Sequence, residues 1–400
     1  MQRTKLDGSL NPQMKVSLDA MGNNDSATIH KALGGPVDIV TVERPGYDKH
    51  FLTVQPASPD PHTMFDSVAD FIREKKAHIV SQFVFGGAEL SGRGVPEAER
   101  INGHRDWPVT WIHGEGPSGM AFSGAQATAV TGDVQTLVIG GQTVGSVYED
   151  RYARYCRLGN LHAPDVTQSR ERQTEETFDL MCTALAKADM TFDHVVRTWL
   201  YMDRILEWYD EFNAVRTAFF EKHNVFDGLV PASTGIGVAN SSKAAMVADV
   251  LAVQPKTPDV KIEMVDSPLQ GAAWEYGSSF SRGVEVAVPD CRKLYISGSA
   301  SITPDGATAH VGDVEKQIAL TMEVVAAILE GRGMTWSDTS RSIAYFKDIK
   351  NAPLYHAYCQ RQNLPHFPVS LAHADVCRDD LLFELELDAV KVMTIPMVSS

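Results

Sequence analysis

The sequence predicts an α+β fold in which mixed β-sheets carry helices on one face, built from tandem copies of one unit. Residues 173–205 align without a gap to residues 317–349, at a constant offset of 144. Each copy places short segments rich in β-branched residues around helical patterns. A partial third copy precedes them. A repeat of this length and order indicates duplicated structural units.

The second copy shows the order of its elements most clearly. Apolar residues at helical spacing predict a helix over 314–330, and Gly331 can end it. Strands are predicted at 293–297 and 339–346, and a last strand at 380–390 closes the unit. The order β-β-α-β-α-β combines short strands with two helices. It therefore favours a mixed sheet with its helices packed on one face.

This pattern divides the chain into three parts and a tail. Residues 107–256 and 257–393 are the two full units, and the second of them carries the candidate site. Residues 1–106 are a partial ββαβ copy followed by a linker, and residues 394–400 are a tail. The elements predicted in the partial copy are strands at 38–42, 50–55 and 79–85 and a helix at 64–75. We expect this copy to cover an edge of the neighbouring sheet.

Charge and composition limit the classes of partner. The chain has 36 Lys and Arg against 51 Asp and Glu, a net charge of −15. Nucleic-acid binding requires clustered positive charge and is not expected, although a few placed arginines can hold a small anionic substrate. No apolar run of about 18 residues occurs, so no membrane association is expected. Five cysteines without C-x-x-C spacing favour a reduced, cytoplasmic protein.

Known cofactor and metal motifs find no support in the sequence. Residues 114–119 match G-x-G-x-x-G, but a strand-like run follows them where a dinucleotide-binding fold requires a helix. The 13 histidines include no H-E-x-x-H pattern and no cluster with cysteine at ligand spacing. No G-x-S-x-G nucleophile elbow occurs. We therefore expect neither a metal nor a cofactor.

Two carboxylates on the last predicted strand are the best candidates for chemistry. Period-two alternation places Glu384 and Glu386 on one face and Phe383, Leu385 and Leu387 on the other. Such carboxylates lie ~7 Å apart, and burial with mutual repulsion would raise the pKa of one of them. A carboxyl that is neutral near pH 7 can act as a general acid. The alternative is a solvated outer face, where most carboxylates lie.

Three further side chains stand near this strand or before the first strand of the last unit. Arg282 and Arg378 are candidates for holding an anionic substrate, because a guanidinium binds a carboxylate through two hydrogen bonds. Their alternative is a solvent-exposed surface charge. Cys377 is either a pocket residue or a small buried hydrophobic residue, the usual state of a free cysteine.

The repeated unit resembles the RidA/YjgF superfamily over residues 107–393 and more weakly over 36–86. The shared features are a Ser-Gly pair near the first strands, a helix that begins with Gln, a Pro-x-Ser sequence and a terminal Phe-Glu-Leu-Glu strand. The resemblance implies trimers with ligand clefts between subunits, so a homo-oligomer is expected; a tandem chain can imitate part of that arrangement internally. Imine-hydrolysing members carry a glutamate on the last strand, matched by Glu384 and, in the first copy, by Asp249. Ser370 and Ser233 occupy the position of their substrate-binding arginine.

A closer resemblance is to the chorismatase branch of this superfamily. The matching segments are 197–201, 209–216, 231–237, 266–282, 296–302 and 377–384. The resemblance implies cofactor-independent cleavage of the enolpyruvyl ether of chorismate, or of a related small anionic enol ether, with release of pyruvate. It implies the following roles: Glu384 as the acid, Glu386 as the neighbour that raises its pKa, Arg282 and Arg378 as the anion clamp, and Ala300, Tyr276 and Ser370 as further substrate contacts. A cysteine at position 377 goes with products of the 3-hydroxybenzoate type.

Two departures from the chorismatase pattern leave the identity of the substrate undetermined by the sequence. A Tyr-Gly-Pro-Arg sequence expected between Tyr276 and Ser279 is absent, and residues 303–306 replace an expected Gly-His-Glu-Ser stretch. Two other functions also stay open: another RidA-type hydrolase, deaminase or tailoring enzyme, and a non-catalytic ligand-binding protein. The distinguishing feature is whether Glu384 lines a closed cleft with arginines or a solvent-facing strand.

Overall fold

Three six-stranded sheets with one common strand order make up the described part of the molecule. The computed structural model describes residues 26–55, 62–87, 106–114, 116 and 122–393, so the tail predicted at 394–400 lies outside it. In each sheet an antiparallel meander of three strands is followed by the last strand of the unit, then by a further strand and its parallel edge strand.

The first sheet has the order β1-β2-β3-β6-β4-β5. Its elements are β1 Thr28–Ala32, β2 Val37–Arg44, β3 Tyr47–Val54, α1 His62–Lys75, β4 His78–Gly86, β5 Val109–Ile112 and β6 Phe122–Val130. This part of the chain is therefore a complete sheet, where the sequence pattern had indicated a half unit.

The second and third sheets repeat this order. The second contains β7 Val134–Ile139, β8 Gln142–Glu149, β9 Ala153–Leu161, α2 Arg170–Lys187, β10 Val195–Met202, α3 Tyr209–Lys222, β11 Ala232–Gly237 and β12 Met246–Pro255. The third contains β13 Lys261–Val265, β14 Gly283–Val288, β15 Cys291–Ala300, α4 Val314–Gly331, β16 Thr339–Phe346, α5 Ala352–Arg361, β17 Ser370–His373 and β18 Phe383–Val392.

The boundary expected after residue 106 lies elsewhere. Strands β5 and β6 both pair with β4, as in Phe83 opposite Thr110 and Phe83 opposite Gln126, so both belong to the first sheet. The boundary between the first and second units along the chain therefore lies between Val130, the end of β6, and Val134, the start of β7. The sequence signal was weak here because β6 is rich in alanine and glycine, which are poor strand formers.

The apolar core has one shared part and three separate parts. The inner faces of the sheets meet in a common cluster that includes Val40, Phe83, Trp199, Val286 and Tyr345. Each outer face packs against its own helix or helices in a cluster of its own. The predicted α+β arrangement, with helices on one face of each mixed sheet, is confirmed.

The strand registers relate the sheets by an approximate threefold repetition. Phe83, Trp199 and Ile343 occupy one equivalent position, and opposite them on the last strands lie Gln126, Asp249 and Glu386. The position two residues earlier on the last strands is occupied by Gly124, Val247 and Glu384. Asp249 therefore corresponds to Glu386, and the alignment with Glu384 made from the sequence is off by two residues.

One buried arginine connects the three units. Arg44 is the last residue of β2 in the first unit, and its guanidinium donates to Asp150 of the second unit (Nη1 to Oδ2, 2.7 Å) and to Asp290 of the third (Nη2 to Oδ1, 2.8 Å). All three side chains are almost completely buried. Among the helices of the described residues, none is long and apolar enough to cross a membrane.

Candidate active site

The last strand of the third unit places Glu384 in a closed, polar environment. Glu384 lies on β18 opposite Ala300 of β15 and Tyr345 of β16, and only 4% of its surface is exposed. Phe383, Leu385 and Leu387, which alternate with the carboxylates, join the outer core with the helices. Both faces of the strand are thus buried, which excludes the solvated alternative for this pair of carboxylates.

Glu384 and Glu386 have opposite electrostatic environments. Burial, followed by the negative charge of Glu386, raises the pKa of Glu384 to about 8. Burial also opposes ionisation of Glu386, but Arg341 and Arg197 outweigh it and lower the pKa of that carboxyl. Glu386 accepts hydrogen bonds from Arg197 (Nη2 to Oε2, 3.1 Å), from the Trp199 indole (2.9 Å) and from Arg341. The two carboxyls therefore differ in protonation near neutral pH, where Glu384 is neutral and Glu386 is charged.

A small cavity of about 40 Å³ lies against Glu384. Three arginines line it: Arg282 and Arg378 from the third unit and Arg216 from α3 of the second. Ala300 and Cys377 line it as well, so five of the eight residues selected from the sequence meet at one cavity. The structure thus brings a protonated carboxyl and a cluster of guanidinium groups to the junction of two units.

The arginines also hold the loops around the cavity. Arg282 donates from Nε and Nη2 to the carbonyl oxygen of Gly271, at 3.0 and 2.9 Å, and Arg378 donates to the carbonyl oxygen of Gly306 at 2.6 Å. Arg216 donates to Asn213 on the same helix and lies over the ring of Phe212. The loops that carry Gly271 and Gly306 are close to the two segments that depart from the chorismatase pattern.

An open groove of about 780 Å³ adjoins the cavity. It runs along α3 of the second unit, and Tyr209, Ser278, Cys377 and Arg378 border both spaces. These four residues form the wall between the cavity and the groove. A movement of this wall would join the cavity to the groove and to solvent.

Cys377 is a thiol and not a thiolate in this setting. Burial and the nearby Glu384 raise the pKa of the Cys377 thiol to about 12. A thiolate is the nucleophilic form of cysteine, so the residue is suited to shaping the cavity and not to covalent catalysis. Tyr276 ends the 3₁₀ helix Ala273–Tyr276, and its side chain lies outside the described part of the structure.

Two predicted substrate contacts do not reach the cavity. Ser370 begins β17 and accepts a hydrogen bond from Gln126 of the first unit (3.2 Å), because this edge strand faces the opposite neighbour of its sheet. Glu386 is not among the residues that line the cavity, and its carboxylate is bonded by Arg197 and Arg341 instead. The corresponding strand of the second unit, β11, is the one at the cavity, and it contributes Ser233 and Gly235.

Half of the cavity residues that sequence reasoning did not select come from the second unit. Arg216, Tyr209 and Ser233 line the cavity from α3 and its neighbouring strand β11. Arg216 and Tyr209 stand in a segment that resembles the chorismatases, so a signal was present. Their approach to Glu384 depends on how two units pack, which no local pattern reports. Among the described residues, no group of three or more His, Cys, Asp or Glu side chains could hold a metal ion.

Comparison with known proteins gives a consistent result. Residues 144–252 match the family model "Chorismatase FkbO/Hyg5-like, N-terminal". A 3-hydroxybenzoate synthase of Streptomyces hygroscopicus is 27% identical over 222 residues, 49% of this chain and 63% of that protein. A chorismatase of Streptomyces rapamycinicus is 24% identical over 52% of this chain and 66% of its own length. The matches thus span less than two thirds of these relatives.

A solved structure extends the comparison to most of the chain. The crystal structure of a chorismatase covers 85% of this chain and 98% of its own, with a TM-score of 0.59 and 18% identity. The described fold is therefore the chorismatase fold. Together with the family match in the second unit, this agrees with the resemblance drawn from the sequence: the chain is similar to the chorismatases in sequence over residues 144–252 and in fold over most of its length.

Proposed function

We propose that this protein is a cofactor-independent enzyme of the chorismatase type, which cleaves the enolpyruvyl ether of chorismate or of a related small anion. The observation that carries the proposal is a buried carboxyl, Glu384, with its pKa raised to about 8 by burial and the charge of Glu386, in a cavity lined by three arginines. An acid of this kind is protonated at neutral pH and matched to proton transfer near it.

The reaction requires few groups. Glu384 gives its proton to the terminal CH₂ carbon of the enol ether, and the ether oxygen shares the resulting positive charge as an oxocarbenium ion. Water adds to the cationic carbon and loses a proton. The hemiketal hydroxyl then passes its proton to the ether oxygen as the carbon–oxygen bond breaks, which releases an alcohol and pyruvate. The proton that water lost on adding restores the Glu384 carboxyl. An internal hydroxyl could replace water as the attacking group.

The arginines supply the binding energy for an anion. We assign Arg216, Arg282 and Arg378 to the carboxylates of the substrate, because charge-assisted guanidinium–carboxylate pairs are strong and directional. The cavity of about 40 Å³ holds only a few water molecules. Small-molecule sites usually measure about 300–1,000 Å³. Substrate binding therefore requires the wall formed by Tyr209, Ser278, Cys377 and Arg378 to move toward the groove.

The test is incubation of the purified protein with chorismate, with pyruvate followed by coupled oxidation of NADH by lactate dehydrogenase. We expect pyruvate release by the wild type and by Glu330→Gln, an exposed matched control on α4, and none by Glu384→Gln. Chromatography of the aromatic product would then test whether Cys377 goes with a 3-hydroxybenzoate type product.

Two outcomes would count against the proposal. Pyruvate release by Glu384→Gln at the wild-type rate would remove Glu384 from the mechanism. No release at high enzyme concentration would favour the other functions open from the sequence. Imines, enamines and a ligand screen would then separate another RidA-type hydrolase from a binding protein.

A further inference from the structure

Thr234 occupies a buried position between the two carboxylates of the site and the backbone beneath them. It lies on β11 of the second unit with 1% of its surface exposed, whereas both carboxylates belong to β18 of the third unit. It is not among the residues that line the cavity.

The hydroxyl of Thr234 accepts two hydrogen bonds, from Arg197 (Nη2 to Oγ1, 2.6 Å) and from the backbone N–H of Gly298 (3.1 Å). These two donors occupy both lone pairs of the hydroxyl and leave its proton for the neighbouring Glu386 carboxylate. That interaction helps to lower the pKa of Glu386, after the larger opposing effect of burial and the charges of Arg341 and Arg197.

Gly298 transmits this geometry to Glu384. A Cβ atom added at Gly298 would lie 2.0 Å from Oε1 of Glu384 and 3.3 Å from Cγ2 of Thr234. The Glu384 carboxyl therefore packs directly on the backbone of residue 298, and the hydroxyl of Thr234 accepts the N–H of that same residue. A shift of the Gly298 peptide would displace the acid or change its hydrogen-bonding environment.

We propose that Thr234 is a positioning residue for the Glu384 acid, acting through the Gly298 backbone and the Glu386 carboxylate across the boundary between two units. The inference rests on the proposed role of Glu384 as a general acid. It adds that the acid is completed only where β11 of the second unit meets β15 and β18 of the third.

The repetition of the fold supplies a matched control. Thr110 occupies the position of Thr234 in the first unit, and its hydroxyl donates to Asp249 at 2.5 Å. Position 247, which corresponds to Glu384 in the second sheet, is a valine. Both hydroxyls therefore hydrogen-bond to the neighbouring unit, but only the unit that Thr234 contacts has a carboxyl at the position of Glu384.

The kinetic test compares Thr234→Val, Thr234→Ser and Thr110→Val on chorismate. Because misplacement of a catalytic group by about 1 Å can cost ~10²-fold in rate, we expect Thr234→Val to lower kcat by this order with KM little changed. Thr234→Ser keeps the hydroxyl and should restore most of kcat, and Thr110→Val should leave kcat as in the wild type. If Thr234→Val does not fold, Thr234→Ala gives the same comparison. Equal kcat values in Thr234→Val and the wild type would overturn the inference, as would failure of Thr234→Ser to restore kcat.

A second readout needs no substrate. Infrared difference spectra of the wild type against Glu384→Gln should contain the C=O band of the protonated Glu384 carboxyl. We expect this band to shift in Thr234→Val, to return in Thr234→Ser and to stay in place in Thr110→Val. A shift without turnover of chorismate would support the positioning role while the proposed substrate failed. Turnover of chorismate with an unmoved band in Thr234→Val would support the proposed substrate and contradict the positioning role.

Discussion

Glu384 owes its proposed role to one substitution in a repeated pattern. The equivalent positions of the other two sheets hold Gly124 and Val247, neither of which can transfer a proton. Its neighbour Glu386 corresponds to Gln126 in the first sheet and Asp249 in the second. Each of these three residues forms a hydrogen bond with a side chain of a neighbouring unit. A polar residue that joins two units is thus common to all three sheets, and the acid is confined to one.

Replacing Glu386 by Gln should move the pH dependence of activity. The change removes a negative charge beside Glu384, leaves Arg197 without its carboxylate and leaves Arg341 with Asp388 alone, so the pKa of Glu384 should fall below its value of about 8. Activity needs the protonated acid, and its decline at alkaline pH should therefore begin at lower pH. Profiles of kcat/KM for Glu386→Gln and the exposed control Glu323→Gln would check this. An unmoved alkaline limb in Glu386→Gln would contradict the coupling.

The residues selected from the sequence that meet at the cavity share one property. Glu384, Cys377, Arg378, Arg282 and Ala300 all belong to the third unit, whose strands could be recognised locally. Arg216 and Ser233 complete the cavity from the second unit, and Ser370 points to the first. Local patterns specify which face of a strand a residue occupies, but not which neighbouring unit that face meets.

At the scale of elements, the bulge in β15 makes room for the acid. The pairing of β15 with β18 shifts between Ile296 and Ser299, and Gly298 lies in this irregular stretch. A bulge bends a strand and redirects its side chains, and such features are common beside active sites. Here the absence of a side chain at residue 298 leaves the space that the Glu384 carboxyl fills.

Gly298→Ala should lower kcat strongly while leaving the protein folded. The new methyl group would overlap Oε1 of Glu384 and force the carboxyl into another rotamer, for which we expect a loss in kcat of about 10²-fold. Overpacking of this kind should also lower the free energy of unfolding by ~1–3 kcal/mol. Gly331→Ala is the control, because the space around Gly331 at the end of α4 is open. Steady-state kinetics and urea unfolding measure both effects, and wild-type kcat in Gly298→Ala would refute the packing argument.

Elements with a strong local signal could be predicted closely. The strand expected at 339–346 is β16, and the helix expected over 314–330 is α4, which ends one residue later. Both have apolar residues at the period of their structure. The assignment of β6 to the first sheet could not be predicted in this way, because pairing partners are chosen by long-range packing. The small residues of β6 also carry little strand preference.

At the scale of the whole molecule, Arg44 joins the three units, because this residue of the first unit bonds to a carboxylate of each of the other two. Arg44→Met should leave Asp150 and Asp290 as buried charges without their partner. Breaking a buried pair in this way costs about 3–5 kcal/mol in the free energy of unfolding. Arg172→Met removes exposed ion pairs on α2, which contribute little, and should leave the free energy of unfolding almost unchanged. Urea unfolding followed by circular dichroism measures both, and equal losses in the two variants would contradict a joining role for Arg44.

The acid should also lower the stability of the protein at alkaline pH. Burial and the charge of Glu386 raise the pKa of Glu384 from 4.5 to about 8, so within this range the folded protein keeps a proton that the unfolded chain loses. The free energy of unfolding of the wild type should therefore fall by up to ~1.4 kcal/mol per pH unit from this group as pH rises through the range. Glu384→Gln has no such proton, so its stability relative to the wild type should increase between pH 4.5 and 8. A constant difference across this range, measured by urea unfolding, would contradict a raised pKa at Glu384.

The different residues at positions 124, 247 and 384 have a consequence for how such a protein can evolve. In an assembly of three identical chains, every mutation appears three times, and each cleft must remain compatible with the same residue. Fusion of the units into one polypeptide removes this constraint. One junction can then acquire an acid and its arginines, while the other two accumulate residues that only hold the molecule together. Active-site titration of this protein should accordingly find one reactive carboxyl per chain, where a symmetric trimer would present three.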